Sequence, residues 1–277
     1  MGAFPTPDAS DETVPLARRN IGAMPDASAG TARITYVGHA TVLVELDGVR
    51  LLTDPVVRPH VLHLRRSGLA APEALLDLQG VLISHAHWDH LDLRSLRQLP
   101  RDVRFVVPRG AGRLLRRKRF TDVVELGAGE ASEIGGVAVT ATYAEHDAGR
   151  GPLGPRSPAL GYLVTGSKRI YFAGDTDLFP EMASLAPVDL ALLPVSGWGP
   201  RLPAGHLSPL RAAEALRLLQ PRDAIPIHWG TYSVVTGRRV SDAEARAPAE
   251  EFARLASELA PAVGIRVLAP GESLTLA

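Results

Sequence analysis

Apolar and polar positions along this chain fall into short blocks, some strictly alternating and some continuously apolar. Residues 1–31 show neither pattern and are rich in Ala, Pro, Gly, Ser and Asp, which predicts a flexible N-terminal extension. Order begins at RITYVGHATVLVELDGVRLLTDP, where two apolar runs flank Asp47-Gly48 and predict a two-residue hairpin. GVLIS (80–84) is continuously apolar, the pattern of a strand covered on both faces. HLDLRSLRQL has helical spacing up to Pro100, DVRFVVP predicts a strand, and RGAGRLLRRKRF predicts a helix with a basic face. GVAVTATYAEHD alternates like a strand and ends on His146 and Asp147, and the Gly and Pro content of 149–159 predicts a loop. LGYLVT and KRIYFAGDTD predict a second hairpin, and VDLALLPV a buried strand. SPLRAAEALRLL predicts a helix capped by Ser208 with Pro209 in its first turn. DAIPIHWG predicts a strand ending on His228, SDAEARAPAEEFARLASEL a helix, and GIRVLAPGESLTL one or two short strands.

These blocks repeat. GVRLLTDP is similar to SKRIYFAGDT, and GVLISHAHWDHLDLRSLRQL is similar to LALLPV followed by GHLSPLRAAEALRLL. Two similar halves, each a sheet with outer helices, predict an α/β fold, a four-layer α/β/β/α sandwich over residues 32–277.

Composition narrows the chemistry. The 277 residues are 45% hydrophobic, and 30 basic residues balance 30 acidic ones. That balance does not ask for nucleic acid as a partner. No apolar run is long enough to insert in a membrane and no signal peptide is legible, so the expectation is a cytoplasmic protein. There is no cysteine, so any transition metal must be held by His, Asp or Glu.

The histidines supply that donor set. LISHAHWDHLD places three of the nine histidines and an aspartate within six residues after an apolar run. On a loop leaving a strand, residues i and i+2 point to one side, so His85 and His87 can grip one metal. Asp89 and His90, past a turn, can grip a second. Three further groups sit where apolar strands end: His146, Asp175 and His228. They predict two sites: His85, His87 and His146 for one metal, Asp89, His90 and His228 for the other, with Asp175 bridging. The cofactors expected are two divalent ions, Zn²⁺ first and Mn²⁺ or Fe as alternatives. Asp147, beside His146, is a rival donor.

The HAHWDH motif, with His146, Asp175 and His228 following in order, resembles the metallo-β-lactamase fold superfamily of metal-dependent hydrolases over roughly residues 33–270. GHATVLVELDGVRLLTDP, RIYFAGDTD, LALLPV, GHLSP and IHWGTY resemble the branch that includes N-acylphosphatidylethanolamine-hydrolysing phospholipases D and ascorbate-6-phosphate lactonase-like proteins. The resemblance implies a metal-bridged hydroxide acting on an ester, lactone or phosphodiester. It implies Asp89 as both ligand and orienter of the nucleophile, and His206 in GHLSP as a group that stabilises the transition state or protonates the leaving group. HDAGRGPLGPRS lacks the tryptophan of the phospholipase at that point, which points to a small-molecule substrate rather than a long-chain lipid. Two alternatives stay open: an iron-dependent oxidoreductase on the same fold, and a non-catalytic metal-binding regulator. Homo-oligomerisation is also open.

The remaining features have blander readings. His39 ends a strand and is expected beside the site rather than in it. His60 and His63 are expected on the surface, and RLLRRKRF (113–120) as a solvated helix face. Trp88, Trp198 and Trp229 are expected in packing or pocket walls. Gly174 is expected to let the backbone approach the metals.

Overall fold

In a computed structural model of the protein, residues 30–67, 75–151, 154, 157–196, 202–235 and 240–277 are described. All but the last two residues of the expected extension lie outside them, as does Trp198. The first half runs β1 (Ala32–Gly38), β2 (Thr41–Leu46), β3 (Val49–Thr53), β4 (His60–Val61), β5 (Leu64–Arg66), β6 (Gly80–Leu82), α1 (Leu93–Leu96), β7 (Arg104–Pro108), α2 (Gly112–Arg116) and β8 (Val123–Leu126). The second runs β9 (Ala131–Ile134), β10 (Val137–Tyr143), β11 (Leu160–Thr165), β12 (Arg169–Phe172), β13 (Leu190–Pro194), α3 (Pro209–Leu219), β14 (Asp223–Ile227), β15 (Tyr232–Val234), α4 (Asp242–Leu259), β16 (Gly264–Ile265) and β17 (Ser273–Leu276).

Two seven-stranded sheets result, in the orders β17-β1-β2-β3-β6-β7-β8 and β16-β14-β13-β12-β11-β10-β9. Each is antiparallel on one side and parallel on the other, and the change falls at β3 in the first and β12 in the second. The two similar halves are therefore present. GVRLLTDP and SKRIYFAGDT occupy equivalent places, so Asp54 and Asp175 both leave the strand where each sheet changes sense.

Continuous apolar runs became central strands because both faces are covered. Leu51, Leu82 and Val106 face the second sheet, joining Val139, Tyr162 and Phe172 in one core. Their neighbours Leu52, Val81, Phe105 and Val107 face the other way and pack with Leu96, Leu115 and Phe120 from the helix side. α3 and α4 cover the far side of the second sheet through Ala212, Leu216 and Phe252. The layers are α/β/β/α, as expected. No helix among the described residues is long and apolar enough to cross a membrane.

Local signals fare unevenly. Asp47-Gly48 makes the expected turn, with φ of 50° and 79°. Ser208 caps α3 through Arg211 N–H, and Ser241 with Glu244 forms a full capping box on α4. α1 and α2 are only four and five residues long. Gly112 sits at the start of α2 with no side-chain cap before it, and adjacent arginines and lysine crowd its end. β8, β9 and the small sheet β15-β5-β4 escape the hydrophobic pattern because each strand is at most four residues long.

The two sheets are tied directly beneath the histidine motif. Tyr162 on β11 donates its hydroxyl to Ile83 O at 2.7 Å, and Leu160 N–H donates to Ser84 O at 2.9 Å. Tyr162 is fully buried, so Tyr162→Phe leaves the Ile83 carbonyl without this partner. The expected loss is about 1–3 kcal/mol of unfolding free energy in urea denaturation. An unchanged midpoint would show that this tie contributes nothing.

Candidate metal centre

The motif loop is shaped before it meets any ligand. Ile83 N–H still pairs with Val106 O, and His90 and Leu91 then donate to His87 O at 3.1 and 2.8 Å, closing a tight turn. Asp92 ends the turn as N-cap of α1. Arg150 clamps both ends: its Nη1 donates to Ala86 O at 2.6 Å and Leu91 O at 2.8 Å, and its guanidinium lies 3.8 Å from the centre of the Trp88 ring. Trp88 is 45% exposed, so it stands at the rim rather than in the core.

His85, His87 and His146 converge. His87 Nδ1 lies 2.9 Å from His85 Nε2 and 3.2 Å from His146 Nε2. The second nitrogen of each outer ring is engaged: His85 Nδ1 with Ser84 Oγ at 2.9 Å, His146 Nδ1 with Gly205 O at 2.8 Å. That fixes the tautomers and turns the Nε2 lone pairs inward. Lone pairs at this spacing repel unless a cation lies among them. Burial holds the rings neutral: it drives His85 well below the usual imidazole range, lowers His87, and takes His146 down to about 4.

Asp89, His90 and His228 form the second group, with Asp175 between the two. Asp175 Oδ2 lies 3.2 Å from His90 Nε2, 3.4 Å from His228 Nε2, 3.5 Å from His206 Nε2 and 4.0 Å from His85 Nε2. Asp89 Oδ2 lies 3.7 and 3.8 Å from the Nε2 atoms of His90 and His228. All seven residues proposed from sequence are thus brought together. Gly174 has φ +62°, and a Cβ there would lie 2.6 Å from that of Ser84. Its glycine is required by Ser84 rather than by the approach to the ligand nitrogens.

Charge in this pocket favours a cation. Burial pushes His90 down, but Asp175, Asp89 and Asp54 outweigh it and hold its protonated form well above the ordinary range. Burial pushes Asp89 and Asp175 up, but the surrounding imidazoles outweigh it and keep both far below the usual carboxylate range. Asp175 Oδ1 is buried with no hydrogen-bond partner. Converging imidazoles, ionised carboxylates and an orphaned buried oxygen fit divalent ions held by N and O donors.

Two residues matter more than the sequence suggested. Asp54, at the end of β3, accepts from Ser84 N–H at 2.7 Å, from the Ser84 hydroxyl and from His90 Nδ1 at 2.7 Å. Its signal was the strand-ending TDP. His39, expected beside the site, lies within the second group, with Nε2 3.2 Å from Asp89 Oδ2. Burial lowers it to about 3, a neutral ring. Among the described residues, the ligand atoms of His39, Asp89, His90 and His228 lie within 4.8 Å of one another. His206 meets the site through Asp175, and its ring lies edge-on to His146 at 4.7 Å. Asp147 is exposed and bonds Gly149 N–H, so it does not compete with His146. His60 and His63 are exposed, as is most of the 113–120 basic face.

Comparison with known proteins follows the same lines. Residues 49–229 match the family model described as Beta-lactamase superfamily domain. The chain is 33% identical over 255 residues to the N-acyl-phosphatidylethanolamine-hydrolyzing phospholipase D 1 of Caenorhabditis elegans, covering 82% of this chain and 71% of that one. It is 32% identical to a UPF0173 metal-dependent hydrolase of Rubrobacter xylanophilus, covering 88% of this chain and 97% of the relative. The structure of Igni18, a metallo hydrolase of the archaeon Ignicoccus hospitalis, superposes with a TM-score of 0.69 at 26% identity, covering 89% of this chain and 99% of that one. With its fold, its strand-end histidines and these relatives in agreement, the chain belongs to the metallo-β-lactamase superfamily, among its metal-dependent hydrolases.

Proposed function

We propose that the chain is a dinuclear hydrolase of a small phosphodiester. The observation that carries this reading is Asp175, whose Oδ2 lies within 4.0 Å of imidazoles from both clusters. His85, His87 and His146 would hold one ion, Asp89, His90 and His228 the other, and Asp175 would bridge them. When bound, two such ions lower the pKa of a shared water and neutralise charge on the phosphoryl oxygens. The phosphodiesterase named among the relatives supports the choice of bond over a lactone or carboxylic ester.

The chain's own groups divide the remaining work. Asp89, partly exposed and tied to His39, orients the attacking water. His206 is partly buried and faces Asp175. Burial alone would lower its pKa, but the hydrogen bond and charge of Asp175 and the Ala204 and Pro203 carbonyls outweigh it and raise it. A ring that keeps its proton can pass it to the departing oxygen.

Purified protein is expected to carry two equivalents of Zn²⁺, Mn²⁺ or Fe, measured by elemental analysis. Chelation should abolish turnover of bis(p-nitrophenyl) phosphate, and added Zn²⁺ or Mn²⁺ should restore it. Unchanged turnover after chelation would refute metal dependence, and faster hydrolysis of a lactone would overturn the phosphodiester assignment. Asp175→Asn should lower kcat roughly 100-fold or more and lower metal content with it.

His206→Ala should lower kcat about 100-fold on a diester with an alkoxide leaving group. The loss should shrink to under about 10-fold with p-nitrophenolate, which departs without a proton. Equal losses on both substrates would remove the acid role.

A further inference from the structure

We infer that His39 is a further protein donor, beside the shared Asp175, to the Asp89–His90–His228 position, which makes the two metal positions unequal: this one tightly held, the His85–His87–His146 one exchangeable. The inference rests on the two-metal reading above.

The backbone is built to deliver this ring. Gly38 has φ +127° and His39 φ +58°, so β1 ends in two consecutive left-handed residues, the second a non-glycine. A Cβ on Gly38 would lie 2.8 Å from Thr231 Oγ1 and 3.0 Å from Arg66 Nη2. His39 N–H donates to Thr231 Oγ1 at 2.7 Å, and His39 O accepts from His228 N–H at 2.8 Å. His228 is itself left-handed, with φ +62°. Two strained turns, from strands of different sheets, are thus bolted together so that both rings face Asp89. The ring centroids of His39 and His228 are 4.0 Å apart, and His39 is 1% exposed.

Counting donors then separates the positions. One position has three imidazoles and a share of Asp175. The other has three imidazoles, Asp89 and a share of Asp175. An extra protein donor takes a coordination place that solvent would otherwise hold. Access differs in the same sense. At this position His39, His90 and His228 are buried and Asp89 is partly exposed; at the other, His85 is buried and both His87 and His146 are partly exposed. A chelator or incoming ligand meets the His87–His146 side first.

The test is metal release from the Zn²⁺- or Co²⁺-loaded full chain into excess chelator, followed by a chromophoric indicator or by the Co²⁺ visible bands. Wild type should release one equivalent quickly and one slowly. His39→Ala should speed the slow phase at least about 10-fold and leave the fast phase unchanged. His39→Gln, which keeps a donor toward Asp89 but lacks an imidazole nitrogen, should behave like the alanine variant. Wild-type release from folded His39→Ala, with unchanged circular dichroism, would overturn the inference, and so would wild-type release from His39→Gln alone, which would reduce His39 to a group that positions Asp89. A wild-type chain that binds fewer than two equivalents would instead refute the two-metal reading itself.

Discussion

The Asp54 carboxylate is the contact on which the site's chemistry depends. It accepts from His90 Nδ1 and, through the Ser84 hydroxyl, sets the orientation of His85 Nδ1. One buried acid therefore decides which nitrogen two imidazoles present, one in each cluster. Burial raises its own pKa, and the hydrogen bond from His90 opposes that. Asp175, its counterpart in the other half, meets His90 from the opposite nitrogen. His90 is held between the same strand end of two related sheets, so the seam between the halves is also the centre of the charge.

That arrangement explains why so many polar groups can be buried in one place. Asp54, Asp175, His39, His85, His90 and His228 are almost wholly out of solvent. Isolated, each would be costly. Together they compensate one another, and the sheets hold them in register because the strands beneath are packed on both faces. The motif loop adds rigidity through Arg150, whose donors go to backbone carbonyls and whose face stacks on Trp88. The geometry is set by strand ends, a tight turn and the Arg150 clamp together.

Much of this was legible because two signals are local. Continuous apolar runs marked the central strands, and residues at their ends marked the side chains that converge. HAHWDH, His146, Asp175 and His228 needed no more than that. Asp54 hid in plain view: TDP ends a strand as surely as GDT does, but a lone acid carries no ligand spacing. His39 hid for another reason. Its place depends on two left-handed residues and on Thr231, almost two hundred positions away, a tertiary constraint that no periodicity encodes. The short strands β4, β5 and β15 were invisible because two or three residues cannot show a period. α1 and α2 are one turn each, enough to bury Leu96 and Leu115 against the first sheet.

The pairing of β1 with β17 has a further consequence. Ala32 lies opposite Leu276, so β1 and β17, the first and last strands among the described residues, run side by side. β1 reaches the site only at its other end, through Gly38 and His39. Ala32 and Leu276 therefore lie at the end of β1 away from Gly38 and His39. The scaffold behaves as an almost closed ring, in which the linear order of the sequence matters little to the pocket. At that end the pairing of Ala32 with Leu276 completes the sheet, a full strand length from the residues of β1 that enter the pocket.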